Sequence, residues 1–348
     1  MKLVIFGLTI SSSWGNGHAT IWRGLCRALA NRKHRIIFFE RDVPYYALHR
    51  DFQDIDGGEM ILYQDWPAAV ASALRHLRDA EVAIVTSFCP DGIAASELVH
   101  ASRAIKVFYD LATPVTLEQL RSGTPLSYIG PDGLRGFDLV LSYTGGKAAE
   151  ELCRRLGARS VAPLYGGVDP AVYHPVSLVE RFRAELSYIG TYAEDRQASL
   201  EALFLEPARR MPDRRFLIAG AKYPPAFNWL DNLFFVHHVA SPDHPALYSS
   251  SRLTLNVTRQ AMARMGYCPS GRLFEAAACG TPIVSDWWEG LDHFFEPDRE
   301  ILLVHASEDT LQALGLPDDQ LRRIAKRARE RTLAEHSLAR RAEQLKTS

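Results

Sequence analysis

The run Ser270-Gly-Arg-Leu-Phe-Glu275-Ala-Ala-Ala-Cys-Gly280-Thr-Pro-Ile-Val-Ser-Asp-Trp-Trp-Glu-Gly290-Leu-Asp-His-Phe-Phe-Glu296 decides how this chain is read. Its first part has the composition of a short helix that carries one carboxylate, Glu275, and stops at Gly280. Thr281 to Ser285 reads as a buried strand, and Trp287 to Leu291, with Gly290 inside it, as a turn opening another helix. Helix, strand, turn and helix in that order put a carboxylate and backbone N–H groups on one rim of a parallel sheet. Such a rim suits a nucleotide diphosphate. The carboxylate accepts from both ribose hydroxyls, and a helix N-terminus faces the phosphates.

Working outward, apolar runs alternate with helical patterns on both sides of this stretch, which argues βαβ units. In the second half the expected strands are Leu186–Gly190, Phe216–Gly220, Leu233–His237, Leu253–Val257, Pro282–Ser285 and Ile301–Val304. Helices are expected at Glu194–Leu205, Ala246–Ser250 and Arg272–Cys279. In the first half strands are expected at Leu3–Gly7, Arg35–Glu40, Met60–Tyr63, Val82–Ser87, Ile105–Tyr109, Asp138–Ser142 and Val161–Leu164. Helical patterns there include Ala19–Ala30, Pro67–Arg78 and Gly146–Leu156. The strand runs are continuous, as in strands covered on both faces. Between the halves, Tyr165-Gly-Gly-Val-Asp-Pro-Ala-Val-Tyr-His-Pro175 holds two glycines and two prolines in eleven residues and reads as a linker.

Composition fits two ordinary domains in 348 residues, with 47% hydrophobic and 23% charged residues. A formal net charge of −1 gives no reason to expect a nucleic-acid partner. The five cysteines (Cys26, Cys89, Cys153, Cys268, Cys279) lack CxxC spacing and point to reduced thiols rather than disulfides or zinc. The first residues read as a strand, not a signal peptide, and no apolar run approaches the ~18 residues of a membrane span. The expectation is a cytoplasmic protein without stable membrane insertion. The Arg-rich last ~30 residues read as solvated helices, since acidic residues interleave with the basic ones.

The loop Ser11-Ser-Ser-Trp14-Gly15-Asn16-Gly17-His18 lies between the first strand and first helix. Its glycines allow close backbone approach to a ligand. It is not a dinucleotide fingerprint, and no Walker lysine is present.

The Glu275 segment resembles the nucleotide-sugar half-site of two-domain GT-B glycosyltransferases. More narrowly it is similar to the spore-maturation (CgeB-type) glycosyltransferase-like family, which is related to the retaining group 1/family 4 enzymes. The resemblance implies an α/β fold of two Rossmann-like domains facing a cleft (GT-B). Residues 1–165 would be the acceptor domain, 166–178 the linker and 179–330 the donor domain. Residues 331–348 would form a C-terminal helix packing back on the first domain. The implied reaction moves a hexose-type sugar from a nucleotide diphosphate sugar, UDP-sugar foremost, to a hydroxyl acceptor. It needs no cofactor or metal and retains configuration.

The resemblance also assigns residues. Glu275, Arg196 and His18 are the catalytic candidates. The donor would meet Gly190, Tyr192, Arg196, Val239 (through main-chain atoms), Arg259, Tyr267, Arg272, Glu275, Glu289, Gly290 and Leu291. Arginine suits this task because its fork grips two phosphate oxygens. The acceptor would lie near Trp14, Gly15, Asn16, Gly17, His18, Asp91, Asp110, Thr113 and Gly145, which sit at strand ends. Asp110 also reads as a cap or a pin for the following Thr-Pro turn. Tyr267 departs from the pattern, because the retaining relatives carry a second glutamate there. The partners implied are a nucleotide-sugar donor and a sugar, lipid-linked sugar or small-molecule acceptor. A homodimer stays open. Two rival readings are a nucleotide-sugar 2-epimerase-like enzyme and a non-catalytic nucleotide- or carbohydrate-binding relative.

Overall fold

A computed structural model describes residues 1–347. The chain divides into two compact units, one of Met1–Gly166 with the chain from Leu338 onward, the other of Gly167–Ser337.

The first unit is built on seven parallel strands, β1 (Lys2–Gly7), β2 (Arg35–Arg41), β3 (Glu59–Tyr63), β4 (Val82–Thr86), β5 (Ile105–Asp110), β6 (Leu139–Ser142) and β7 (Val161–Pro163). Their order is β3-β2-β1-β4-β5-β6-β7, so the winding reverses between β1 and β4. Leu3, Val4, Ile5 and Phe6 of β1 and Ile36 to Phe39 of β2 are wholly buried, which is why these runs show no alternation. Trp22 of the helix Gly17–Asn31 fits edge-on between Phe38 and Tyr109, with ring centroids 5.7 and 5.8 Å away. Each such ring stabilises the unit by roughly 2–3 kcal/mol through removal from water.

The helix Leu338–Thr347 belongs to this first unit and packs against Gly17–Asn31. Arg341 is 2% exposed; its Nε donates to the carbonyls of Tyr165 (3.1 Å) and Gly166 (3.0 Å). Arg32 and Glu343 pair at the rim of the same contact.

The second unit carries six parallel strands, β8 (Ala184–Ile189), β9 (Phe216–Gly220), β10 (Leu233–His237), β11 (Ser251–Asn256), β12 (Ile283–Ser285) and β13 (Leu302–Leu303). Their order is β10-β9-β8-β11-β12-β13, with the reversal between β8 and β11. Every strand expected from sequence forms, and both sheets are doubly wound α/β layers.

Two helical expectations need correcting. Glu194–Leu205 is not one α-helix: Glu194–Leu200 passes into a π-turn at Glu201–Leu205 before Glu206–Arg210 continues. Pro207 is the cause, because it has no N–H to give the carbonyl four residues back. The helix opened by Gly290 is only Leu291–Phe294, a single turn, and the Leu291 N–H donates to the Trp288 carbonyl (3.1 Å). A full helix dipole aimed from that turn is therefore not built, and Leu291 has no main-chain donor to spare.

Candidate functional site

In an open parallel sheet, ligands gather beyond the strand ends where the winding reverses. In the second unit that point is flanked by Gly190 and Tyr192 after β8 and by Thr258 and Arg259 after β11. Here β8 and β9 approach so closely that a Cβ on Gly220 would lie 2.0 Å from the Gly190 carbonyl oxygen. Tyr223 donates to that same carbonyl (3.2 Å), and the Tyr192 ring stands 5.6 Å from the Tyr223 ring.

Tyr188, the penultimate residue of β8, gathers two arginines. Arg196 Nη1 donates to its hydroxyl (3.0 Å), and the Arg272 guanidinium lies 5.3 Å from its ring centre. Gly190 leaves room for them: a Cβ there would come within 2.8 Å of Tyr188 Oη and 3.1 Å of Arg272 Nη2. Arg196 Nε and Arg272 Nη1 are both buried without a hydrogen-bond partner among the described residues. Burial, with Arg272 and Arg259 nearby, pulls the Arg196 guanidinium below its ordinary range. Burial acts the same way on Arg272, but Tyr188, Tyr248 and Glu275 outweigh it and hold that group above its usual value. Arg259 is partly spent, since its Nε pairs with Asp195 Oδ2 at 3.3 Å. Two guanidinium groups with open donors thus stand side by side at the end of β8.

Glu275 stands three residues beyond Arg272 on the helix Gly271–Ala278, hence on a neighbouring face. Its Oε2 accepts from Tyr248 Oη (3.3 Å) and faces His244 Nδ1 at 3.8 Å. The opposite ring nitrogen of His244 lies 3.1 Å from the Val239 carbonyl, so Val239's main-chain oxygen is already engaged. Elsewhere in this unit Tyr267, Glu289, Gly290 and Leu291 come together as one packed turn. Tyr267 N donates to the Glu289 carbonyl (2.7 Å), and Gly290, at φ +89°, accommodates the Tyr267 ring where a Cβ would clash at 2.6 Å.

Sequence reasoning missed Asp286. Its two oxygens accept from Thr258 N (3.1 and 2.9 Å) and one also from Thr258 Oγ1 (2.9 Å), tying the loop after β11 to the loop after β12. An acidic residue directly after an apolar strand run was the available signal.

In the first unit, the loop after β1 is held by acidic side chains that sequence reasoning also missed. Glu40, buried at the end of β2, accepts from Thr9 Oγ1 (2.8 Å), Ile10 N (2.7 Å), Ser11 N (2.9 Å) and Ser11 Oγ (2.6 Å). Asp51 takes Ser13 N (3.0 Å) and pairs with Arg23. An acidic residue at the end of a second strand is where a dinucleotide fold holds its ribose; here both oxygens are consumed.

That loop delivers His18. Asn16 caps the helix by accepting from His18 N (2.9 Å), Gly15 turns the chain at φ +60°, and Gly17 begins the helix. The His18 ring lies 5.9 Å from the Phe88 ring, its Nδ1 is enclosed without a hydrogen-bond partner among the described residues, and burial lowers its pKa to about 4. Phe88 follows β4 and has φ +62°, a strained setting for an aromatic residue. Trp14 stacks on His49 at 3.9 Å.

The remaining acceptor candidates are tied into the fold. Asp110 is fully buried, and its Oδ1 accepts from Ala112 N and Thr116 Oγ1 (both 3.1 Å); burial raises it to about 6. Thr113, also fully buried, shares a hydrogen bond with Ser142 (2.8 Å). Both are sealed from solvent; Asp110 Oδ1 pins the Thr-Pro turn, while its Oδ2 is buried without a hydrogen-bond partner among the described residues. Asp91 binds Arg41 (3.2 Å) and the Tyr63 hydroxyl (3.0 Å). Gly145 accepts from Ala148 N (3.2 Å) in the turn before the helix Lys147–Leu156.

Among the described residues, no group of His, Cys, Asp and Glu is placed to hold a metal ion. No helix among them is long and apolar enough to cross a membrane.

The glycosyl transferase-like family matches residues 196–347 of this chain. No curated protein matches it. Among solved structures, sucrose-phosphate synthase from Thermosynechococcus elongatus aligns with a TM-score of 0.76 at 15% identity, over 100% of this chain and 98% of that one. Anabaena HepE in complex with UDP-glucose gives 0.68 at 12%, covering 100% and 98%. T4 phage BGT with its UDP-glucose substrate gives 0.64 at 9%, covering 100% and 99%. At such identities the likeness speaks for the fold. The chain thus has the GT-B glycosyltransferase fold, with a glycosyl transferase-like domain across residues 196–347.

Proposed function

We propose that this chain is a glycosyltransferase that moves a hexose-type sugar from a UDP-sugar to a hydroxyl acceptor, without a metal and with retention of configuration. One observation carries the reading: Arg196 and Arg272 converge on Tyr188 with buried N–H groups left open, one helical turn from Glu275. Two arginines supply the positive charge that a departing diphosphate needs, and Glu275 supplies the acceptor for ribose hydroxyls. Arg259, Gly190 and Tyr192 complete the donor set. The turn Tyr267, Glu289 and Gly290 would flank the sugar, with Tyr267 replacing the glutamate of retaining relatives. UDP is favoured because HepE and T4 phage BGT were solved with UDP-glucose.

In this reading residues 179–330 are the donor domain and residues 1–165 the acceptor domain, with His18 near the acceptor hydroxyl. A histidine held down to about 4 is neutral at pH 7 and a weak base. It therefore orients the hydroxyl by donating its ring N–H to the hydroxyl oxygen, and the hydroxyl proton goes to the departing phosphate, as suits retention. The acceptor is a sugar, lipid-linked sugar or small molecule; the balanced charge gives DNA no general attraction. We place the enzyme in the cytoplasm and near the spore-maturation (CgeB-type) branch, on the Glu275-to-Pro282 motif.

A thermal-shift panel of UDP, GDP, ADP, dTDP, CMP and NAD, on wild type and Glu275→Ala, tests this. A ligand at 100 times its Kd adds about 2.7 kcal/mol, which moves the melting point by several degrees. UDP should produce that shift in wild type and not in Glu275→Ala. A shift with NAD alone would overturn the proposal.

A further inference from the structure

The ring of Tyr188 lies in the core of the second unit, and its hydroxyl stands beside two guanidinium groups. The side chain is 1% exposed, its ring centre 6.4 Å from that of Phe204. Its Oη accepts from Arg196 Nη1 at 3.0 Å, and the Arg272 guanidinium lies 5.3 Å from the ring centre. A guanidinium has only donors, so neither arginine can take the Tyr188 proton. No other hydrogen bond of that hydroxyl is found among the described residues. A buried hydroxyl proton without an acceptor is as unfavourable as an open N–H. Gly190 keeps the approach clear, since a Cβ there would stand 2.8 Å from Tyr188 Oη and 3.1 Å from Arg272 Nη2. Alongside Arg196 Nε and Arg272 Nη1, the hydroxyl is thus a third open donor.

Resting on the donor reading above, we propose that Tyr188 is a further catalytic residue, whose hydroxyl donates a hydrogen bond to the diphosphate as it leaves. Its oxygen is occupied by Arg196 and its proton by a phosphate oxygen. A neutral donor suits this place. Burial first, with Arg272 and Arg259 adding to it, disfavours the Arg196 charge, whereas Tyr188 favours it. A third cation would deepen that repulsion; a hydroxyl adds a donor without doing so. The bond to phosphate strengthens as negative charge gathers on the leaving oxygen, and the proton stays on Tyr188 throughout.

The test is calorimetric titration of UDP and uridine into wild type, Tyr188→Phe, Arg196→Met and the double variant. Phenylalanine keeps the buried ring and removes only the hydroxyl. Tyr188→Phe should weaken UDP about tenfold, leave uridine unchanged and melt within a few degrees of wild type. The same loss should recur where Arg196→Met is already present, because the hydroxyl's own bond to phosphate survives that change. No further loss in that background would overturn the proposal, since the hydroxyl would then act only by holding Arg196. Unchanged UDP affinity in Tyr188→Phe, or equal weakening of UDP and uridine, would overturn it too. A second variant, 3-fluorotyrosine placed at position 188, keeps the hydroxyl but makes it a stronger donor and a weaker acceptor. At slightly acid pH it should bind UDP at least as tightly as wild type, and weaker binding would contradict donation to phosphate. If wild type binds UDP and these results fail, the inference falls while the donor reading stands. If wild type binds no UDP, the donor reading falls and takes this one with it.

Discussion

The two sheets reverse their winding in the same way, yet they treat charge at the reversal oppositely. In the first unit the acidic groups around the point between β1 and β4 are fully occupied. Glu40 collects four donors, Asp51 fixes Ser13 and Arg23, and Asp91 is shared by Arg41 and Tyr63. In the second unit, between β8 and β11, guanidinium groups are gathered and left with open donors. The difference teaches that topology offers a crevice but does not decide its use. Where charge is saturated internally, it shapes a loop; where it is not, buried donors stay open.

The strongest way to break this contrast is Glu40→Ala. It strands four buried donors and should cost roughly 3–5 kcal/mol, lowering the melting point of the first unit by about 10 °C in calorimetry. A loss under about 1 kcal/mol would show that the loop does not depend on its carboxylate.

A second, smaller effect sharpens the picture within the first unit. The His18 pKa falls from 6.5 to about 4, so the unfolded chain takes up that proton first. Its contribution to stability is whole above pH 6.5 and is lost as pH drops toward 4, by about 3 kcal/mol. Asp110 runs the other way, from 3.8 up to about 6, so the folded state holds the proton more tightly and stability rises by a similar ~3 kcal/mol as pH falls through the same window. The two offset each other, and wild type should melt at nearly constant temperature between pH 6 and 4. His18→Gln should then gain stability on acidification and Asp110→Asn should lose it. Parallel profiles for the two variants would contradict the assignment of both groups.

The smallest effect on folding comes from the second unit. Arg196→Met removes a guanidinium that burial disfavours and that keeps an open donor, and should leave stability unchanged or raise it by about 1 kcal/mol. The same change should weaken UDP about ten- to a hundredfold, as expected for a lost charge-assisted hydrogen bond. Opposite signs for fold and ligand are the mark of a site, and a destabilised Arg196→Met would make that arginine structural.

Both doubly wound layers were legible from sequence because strands buried on two faces read as unbroken apolar runs, as Leu3 to Phe6 and Leu253 to Val257 do. Gly190, Arg196, Arg272 and Glu275 were singled out through the family resemblance, and that Gly190, Arg196 and Arg272 meet around Tyr188 is visible only in the structure. What escaped were pairings between distant loops: Glu40 with Thr9 to Ser11, Asp51 with Ser13, and Asp286 with Thr258. No local pattern marks such contacts, since partners some 30 residues apart carry no periodicity. The π-turn at Glu201–Leu205 escaped for a different reason. A proline at position 207 was visible, but how a helix absorbs the missing N–H is a matter of packing.

Arg341 reaches back to Tyr165 and Gly166 across some 175 residues of chain, so the first unit is interrupted in sequence by the whole of the second. During synthesis the order of completion is therefore inverted. The helix Gly17–Asn31 emerges early but waits uncovered for Leu338–Thr347, while the second unit has every strand it needs before those residues are translated. The half that is encoded first is the half that is finished last.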